Sequence, residues 1–226
     1  MSELYQIAID GPSGAGKSTI AKLLSERLGI LYLDTGAMYR AIGLYMYRRG
    51  IDFENECAVA EALEAVQLEV FYQNGEQKIS LNGEDVSQKI REHRVSALAS
   101  DISRLGAVRK KLVEMQRRIA AEQCCVLDGR DIGTHVLPDA KFKFYLTASA
   151  QCRAHRRTQE LLQKKMPADY ETVLADIEKR DYNDIHRAIA PLRRADDAVE
   201  IDSTESTVEQ VVQKMLCVIR RDGDVL

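Results

Sequence analysis

The feature that most constrains this chain is a change of character within IAIDGPSGAGKST, which runs from Ile7 to Thr19. An apolar run gives way to glycines, a lysine and three hydroxyls, and the amphipathic KSTIAKLLSERLG follows. Gly11, Gly16, Lys17 and Ser18 fit the G-x-x-x-x-G-K-[ST] pattern of a phosphate-binding loop between a strand and a helix. Gly11, Gly14 and Gly16 lack Cβ atoms, so the backbone can curl until its N–H groups converge on an anion. Pro12, Ser13, Ala15 and Thr19 complete the loop. Lys17 is expected to reach the β- and γ-phosphates, Ser18 to offer its hydroxyl to magnesium, and the helix N-terminus to add partial positive charge. An ordinary glycine-rich turn would require neither the strand before the loop nor the helix after it. The sequence therefore reads as a nucleoside triphosphate site.

Composition narrows the rest. A chain of 226 residues can bury one substantial α/β core with a small insertion. A net charge of -3 offers no global attraction to nucleic acid or to an anionic membrane. No apolar stretch approaches the length of a membrane span, and the N-terminus lacks a basic-then-apolar signal region. The five cysteines have no metal-ligand spacing, and Cys124-Cys125 within CCVLDG reads as strand packing in a reducing compartment. A cytoplasmic protein is expected, with no repeat, low-complexity tract or linker.

Short apolar runs (LYQIAI, ILYLD, CCVLD, KFKFYLT, AVEID) alternate with helical segments, which predicts a parallel sheet with helices on both faces. Right-handed crossovers would bring the C-terminal strand ends to one edge, where ligands gather in such folds. Asp10-Gly11, Asp34-Thr35-Gly36, Asp128-Gly129-Arg130-Asp131 and Asp202-Ser203 would lie there, the last in a structural role. Between about Glu61 and Ser96 the alternation breaks into a short helix and LEVFYQNGEQKISLNGEDVS. Its period-2 pattern around Asn74-Gly75 predicts an antiparallel hairpin or three-stranded sheet inserted into the core. A long helical stretch follows, interrupted near Gly106, and Ser206-x-x-Glu209 predicts a capping box for the last helix.

Arginines in the second half occupy informative places. Arg153, Arg156 and Arg157 share one helical face, and Arg180, Arg187, Arg193 and Arg194 have Asp181 and Asp184 between them. Most single arginines are solvated charges. Arg130 differs because it follows an apolar strand beside two carboxylates at the ligand edge. Guanidinium groups bind phosphate through a bidentate fork, as a phosphoryl donor and an anionic acceptor require. A GTPase would need D-x-x-G and N-K-x-D, and neither is found. A motor would need an acidic strand end that activates water, whereas Asp128 runs directly into Gly129-Arg130. A nucleotide-binding regulator would need the loop alone. A phosphotransferase with a small acceptor fits best.

IDGPSGAGKST, LDTGAMYR, DGRDIGT, FYLTAS…RAHRR, KRDYNDIHRAIAPL and IDST together resemble bacterial cytidylate kinases from Ile7 to about Met215. Ser18 and Thr35 stand where that family often has glycine and serine. The resemblance implies a P-loop kinase fold with a five-stranded parallel sheet in a core of residues 1–60 and 99–226. It also implies a monophosphate-binding insertion at 61–98 and a lid at 153–165. The implied reaction transfers phosphoryl from ATP, with magnesium, to CMP or dCMP. Ser100, Arg109 and Asp131 occupy positions that read cytosine in the family, and Arg180 and Asp184 positions near the ribose. Arg40, Arg130 and Arg187 hold the acceptor phosphate, with Thr35, Gly36, Tyr39 and Asp128 completing its site. Lys17, Arg130, Arg153, Arg157 and Arg187 are the implied catalytic groups, the lid arginines closing over the transferring phosphoryl. A monomer is expected.

The chemistry is consistent with these roles. Cytosine presents a 4-amino donor where uracil presents a carbonyl, so an ionised Asp131 favours the first and repels the second. Asp131 could instead brace Arg130 through a local ion pair. No general base is needed, because the acceptor phosphate is already an oxyanion.

Overall fold

The computed structural model describes residues 4–221. Strand β1 (Gln6–Asp10) pairs in parallel with β6 (Cys125–Gly129) on one side and β7 (Phe142–Thr147) on the other. β7 pairs in parallel with β8 (Val199–Asp202), and β2 (Leu31–Asp34) completes a five-stranded sheet in the order β2-β6-β1-β7-β8. This is the parallel α/β architecture expected from the five apolar runs. Register brings the strand ends level: Asp10 lies opposite Gly129 and Tyr145, and Thr147 lies opposite Asp202.

The chain forms two compact units, one made of residues up to Tyr32 and from Gln123 onward, the other of Leu33–Glu122. In the first, Ile7, Ile9, Val126, Phe144 and Leu146 project from the sheet into a core closed by two helices. These are α1 (Lys17–Leu28), through Ile20 and Leu24, and α8 (Val208–Arg221), through Val211, Met215 and Ile219. Helices α6 (Ala150–Gln163) and α7 (Tyr170–His186) pack on each other. Cys125 is fully buried in β6 and burial pushes its thiol up to about 12, so it packs as an apolar side chain. Among the described residues all five cysteines are free thiols.

The second unit holds α2 (Thr35–Arg48), α3 (Glu56–Glu64), α4 (His93–Ile102) and α5 (Gly106–Glu122). Its three-stranded antiparallel sheet runs β3 (Leu68–Gln73), β4 (Glu76–Leu81), β5 (Glu84–Asp85). The hairpin turns at Asn74 and Gly75, both at positive φ (53° and 75°), as a two-residue turn between twisted strands requires. The region read from the sequence as an insertion at 61–98 lies inside this unit. Helices α4 and α5 are separated at residues 103–105, next to the Gly106 interruption.

One local expectation needs correction. The cap of α8 is not Ser206 with Glu209 but the pair one residue later: Thr207 Oγ1 accepts from Gln210 N at 3.2 Å, and Gln210 Oε1 accepts from Thr207 N at 2.9 Å. Glu209 instead takes the guanidinium of Arg27 on α1 in a two-bonded pair. Both registers satisfy the capping pattern, and the long-range partner selects between them.

Candidate active site

β1 ends at Asp10 and the chain then curls through Gly11 to Gly16 onto α1. At Gly11 (φ 148°) a Cβ would sit 2.0 Å from the Leu146 carbonyl oxygen of β7, so no other residue fits. Gly16 (φ 91°) occupies the position that opens α1. Ser203 ties the loop to the sheet, its hydroxyl bonding to the carbonyls of Ala15 (3.3 Å) and Thr147 (3.1 Å), which bears out the structural role read for Asp202-Ser203. Lys17 is 6 % exposed, and its ammonium donates to the Pro12 carbonyl at 2.7 Å. Burial lowers its pKa to about 7, and the Arg130 cation acts in the same direction. Asp128, Asp184 and Asp10 oppose them. The loop is thus a concave backbone with a desolvated cation at its end, and an anion bound there would restore that cation's charge.

The ends of β6 and β1 carry linked carboxylates. Asp128 accepts from the Ser18 hydroxyl and from the Tyr32 hydroxyl, each at 2.9 Å, one on each oxygen. Asp10 accepts from the backbone N–H groups of Ile132 (2.8 Å) and Gly133 (2.7 Å), fixing the segment that follows Asp131. That segment is wound in wide i to i+5 turns, with Val136 and Leu137 donating to the carbonyls of Asp131 and Ile132. Burial raises Asp10 to about 6, although its two backbone bonds pull the other way.

Two arginines are held at this edge by carboxylates. Arg130 Nε donates to Asp184 on α7 at 2.7 Å, and Nη1 to the Gly129 carbonyl at 3.3 Å. Burial works against both charges, yet the pairing dominates, holding Asp184 below the usual carboxylate range and Arg130 above its own. Arg187 donates through Nη2 to Asp131 at 3.0 Å and through Nε to the Ala190 carbonyl at 2.5 Å. Asp131 therefore contacts Arg187, and Arg130 has its ion pair with Asp184 rather than with Asp131. Arg180 is half-buried on α7, one residue before Asp181.

The three α6 arginines face different surroundings. Arg157 is half-buried and pairs with Glu160 at 2.7 Å within the helix. Arg156 donates to the hydroxyl and carbonyl of Ser203. Arg153, read from the sequence beside Arg157 over the transferring phosphoryl, is 4 % exposed and committed to Asp181 and two backbone carbonyls.

In the second unit, Asp34 caps α2 by accepting from Ala37 N at 2.8 Å, and its other oxygen accepts from Arg40 Nη2 at 2.9 Å. Gln77 of β4 bonds both backbone groups of Asp34, at 2.7 Å and 3.3 Å, anchoring the start of α2 to the small sheet. Thr35 is buried, Gly36 and Tyr39 are half-buried, and a Cβ at Gly36 would lie 3.2 Å from Arg40 Nη1. Arg40 Nε is buried without a hydrogen-bond partner, so the Arg40 guanidinium has donor capacity to spare. Ser100 is half-buried on α4, and Arg109 is 3 % exposed on α5. Tyr32 and Gln77 were not singled out from the sequence. Each acts across long sequence separations, and no local pattern marks a tyrosine or glutamine for such a role.

Comparison with known proteins gives a consistent result. The family model described as cytidylate kinase matches residues 7–221. A cytidylate kinase of Caldicellulosiruptor bescii is 50% identical over 210 residues, covering 93% of each chain. One of Carboxydothermus hydrogenoformans is 47% identical over 98% of this chain and 100% of its own. One of Lactobacillus johnsonii is 43% identical over 98% and 96%. An uncharacterized protein from Eubacterium ventriosum, of known crystal structure, aligns with a TM-score of 0.53 at 13% identity over 97% of this chain and 99% of that one, a likeness of fold.

Proposed function

The chain belongs to the cytidylate kinase family, and from that premise we propose a division of labour among its residues in moving the γ-phosphoryl group of ATP onto CMP or dCMP. The enzyme is a phosphotransferase that forms CDP or dCDP and ADP. The observation that supports this reading best is the grouping, in one unit, of the glycine loop and buried Lys17 with two carboxylate-held arginines, Arg130 and Arg187.

The loop backbone and Lys17 hold the β- and γ-phosphates of ATP. The acceptor phosphate of CMP attacks as an oxyanion, so the protein has no proton to remove. Its work is alignment and the neutralisation of charge on the transferring group. Arg130 and Arg187 each keep guanidinium N–H groups beyond those committed to Asp184, Gly129, Asp131 and Ala190, and these receive the acceptor phosphate. Asp131 accepts the cytosine 4-amino proton, and Arg180 and Asp184 serve the ribose. In the second unit, Arg40 has an unused donor for phosphate beside Thr35, Gly36 and Tyr39, and Ser100 and Arg109 are the polar residues of its helices α4 and α5 proposed for nucleotide binding. Arg157 in the 153–165 lid meets the transferring phosphoryl, since among the described residues it is held by a half-buried glutamate on its own helix.

Magnesium suits the donor set of Ser18 and Asp128: a hydroxyl and a carboxylate, both hard oxygen ligands, lie 2.9 Å apart at the end of the phosphate loop. When bound, the ion neutralises phosphate charge. Tyr32 meanwhile keeps the Asp128 carboxylate turned toward Ser18. No helix among the described residues is long and apolar enough to cross a membrane. A monomer in the cytoplasm, where ATP and reduced thiols coexist, completes the proposal. A coupled assay with ATP and magnesium over the common monophosphates tests it. CMP and dCMP should turn over, with UMP and AMP far slower. Equal turnover of all four, or ATP binding with no transfer, would overturn the assignment.

A further inference from the structure

Arg153 is among the most heavily bonded side chains of the first unit, and none of its bonds faces outward. Its Nε donates to the Ala148 carbonyl at 2.9 Å. Nη1 donates to the Ser13 carbonyl at 3.0 Å and to Asp181 Oδ1 at 3.0 Å, and Nη2 to Asp181 Oδ2 at 2.6 Å. Four of the five guanidinium N–H groups are therefore engaged. The side chain is 5 % exposed and Asp181 18 %, so solvent competes little for these bonds. Ser13 and Gly14 belong to the phosphate loop, and a Cβ at Gly14 (φ 78°) would lie 3.3 Å from the Arg153 Cβ. Arg153 thus presses on the outer side of the loop at one residue and holds the carbonyl of the one before.

That carbonyl matters because a peptide is a rigid plane. Holding the Ser13 oxygen outward toward Arg153 turns the N–H of Gly14, on the opposite side of the same peptide, the other way, toward the concave face. Ser203 performs the matching task on the Ala15 carbonyl from β8's end. Asp181 is the only carboxylate that the described residues give Arg153, and it arrives from α7, one helical turn before Asp184, the partner of Arg130.

We propose that Asp181 and Arg153 form a strut that sets the phosphate loop in its binding conformation: Arg153 is a positioning residue acting through the Ser13 carbonyl, and Asp181 acts through Arg153. This rests on the reading that the loop holds ATP. The strut and a direct phosphate contact predict opposite signs for Asp181→Asn. If Arg153 meets phosphate itself, removing its carboxylate frees a cation and nucleotide affinity holds or improves. If it is a strut, the guanidinium loses its anchor and the loop loosens.

The test uses two readouts on the full chain. Hydrogen exchange of the loop amides is followed in the nucleotide-free protein, and the Kd of a fluorescent ATP analogue is measured by titration. Asp181→Asn should speed loop exchange and raise Kd about tenfold, while the KM for CMP stays within about twofold. Arg153→Lys keeps the charge but not the fork, so it should do the same, and the double variant should be no worse than either single one. If Asp181→Asn does not fold, Arg153→Lys carries the test alone. Unchanged exchange with an unchanged or tighter Kd would overturn the strut. A wild-type protein that fails to bind the analogue, while exchange still quickens in the variants, would leave the strut standing and remove the nucleotide reading instead.

Discussion

Nucleotide binding should draw a proton into this protein, and Lys17 should be the group that takes it. Burial and the neighbouring Arg130 bring the Lys17 ammonium down to about 7 in the nucleotide-free protein. Phosphate oxygens arriving at the loop supply the anionic partner that burial withholds, returning the pKa toward its ordinary range near 10.4. With a pKa of about 7, only about a tenth of Lys17 is charged at pH 8, so binding takes up about 0.9 proton there. The phosphate contributes little, because its own second ionisation lies near 6. Calorimetric titration in two buffers of different ionisation enthalpy reads this number directly. The Lys17→Met protein, titrated at saturating nucleotide, should show no such buffer-dependent heat. Uptake near zero in the wild type, or equal uptake in both proteins, would refute the argument. The same shifts fix a pH profile for the nucleotide-free fold. Asp10 is raised to about 6, so the folded state binds more protons than the unfolded chain between its ordinary range and pH 6, and stability falls as pH rises through that window. Lys17 is lowered, so the folded state binds fewer protons above about pH 7, and stability climbs from there toward about pH 10. Urea midpoints should pass through a minimum between about pH 6 and 7.

Three further outcomes are expected. Asp131→Ala should lower the ratio of kcat/KM for CMP to that for UMP by about 10- to 100-fold, the value of one charge-assisted hydrogen bond. Equal losses for both substrates would confine Asp131 to orienting Arg187. Gly11→Ala places a Cβ 2.0 Å from the Leu146 carbonyl and should destabilise the fold by at least about 2 kcal/mol; a wild-type melting temperature contradicts that. Cys57→Ser and Cys217→Ser alter exposed thiols and should leave phosphotransfer intact, which steady-state assay checks.

What could be read from the sequence followed from how local each signal is. Apolar runs between helices located all five strands of the parallel sheet, and β1 and β6 were the plainest, because a strand buried on both faces has no polar positions to blur it. The Asn74-Gly75 turn was equally plain, since few residues tolerate its backbone. β5 is only two residues long and carries no period. The sequence pattern sets the α8 cap one residue early because Ser206 and Thr207 can each cap, and Arg27, far away in sequence, recruits Glu209. At the site, glycines and Lys17 announce phosphate chemistry by spacing alone. Which carboxylate holds which arginine is a tertiary fact: Asp131 stands beside Arg130 in sequence but faces Arg187 in space. Arg153 shares a helical face with Arg157, yet one turn of α6 separates a buried guanidinium from a half-exposed one.

The most direct test of the central claim follows the phosphorus atom itself. ATP labelled in its γ-phosphate is incubated with the protein, magnesium and CMP, and the label is located after a single turnover. The account predicts that it appears in the β-phosphate of CDP, at a rate that falls about 10²- to 10³-fold in a folded Lys17→Ala protein. Label recovered as inorganic phosphate, or retained in ATP, would contradict it.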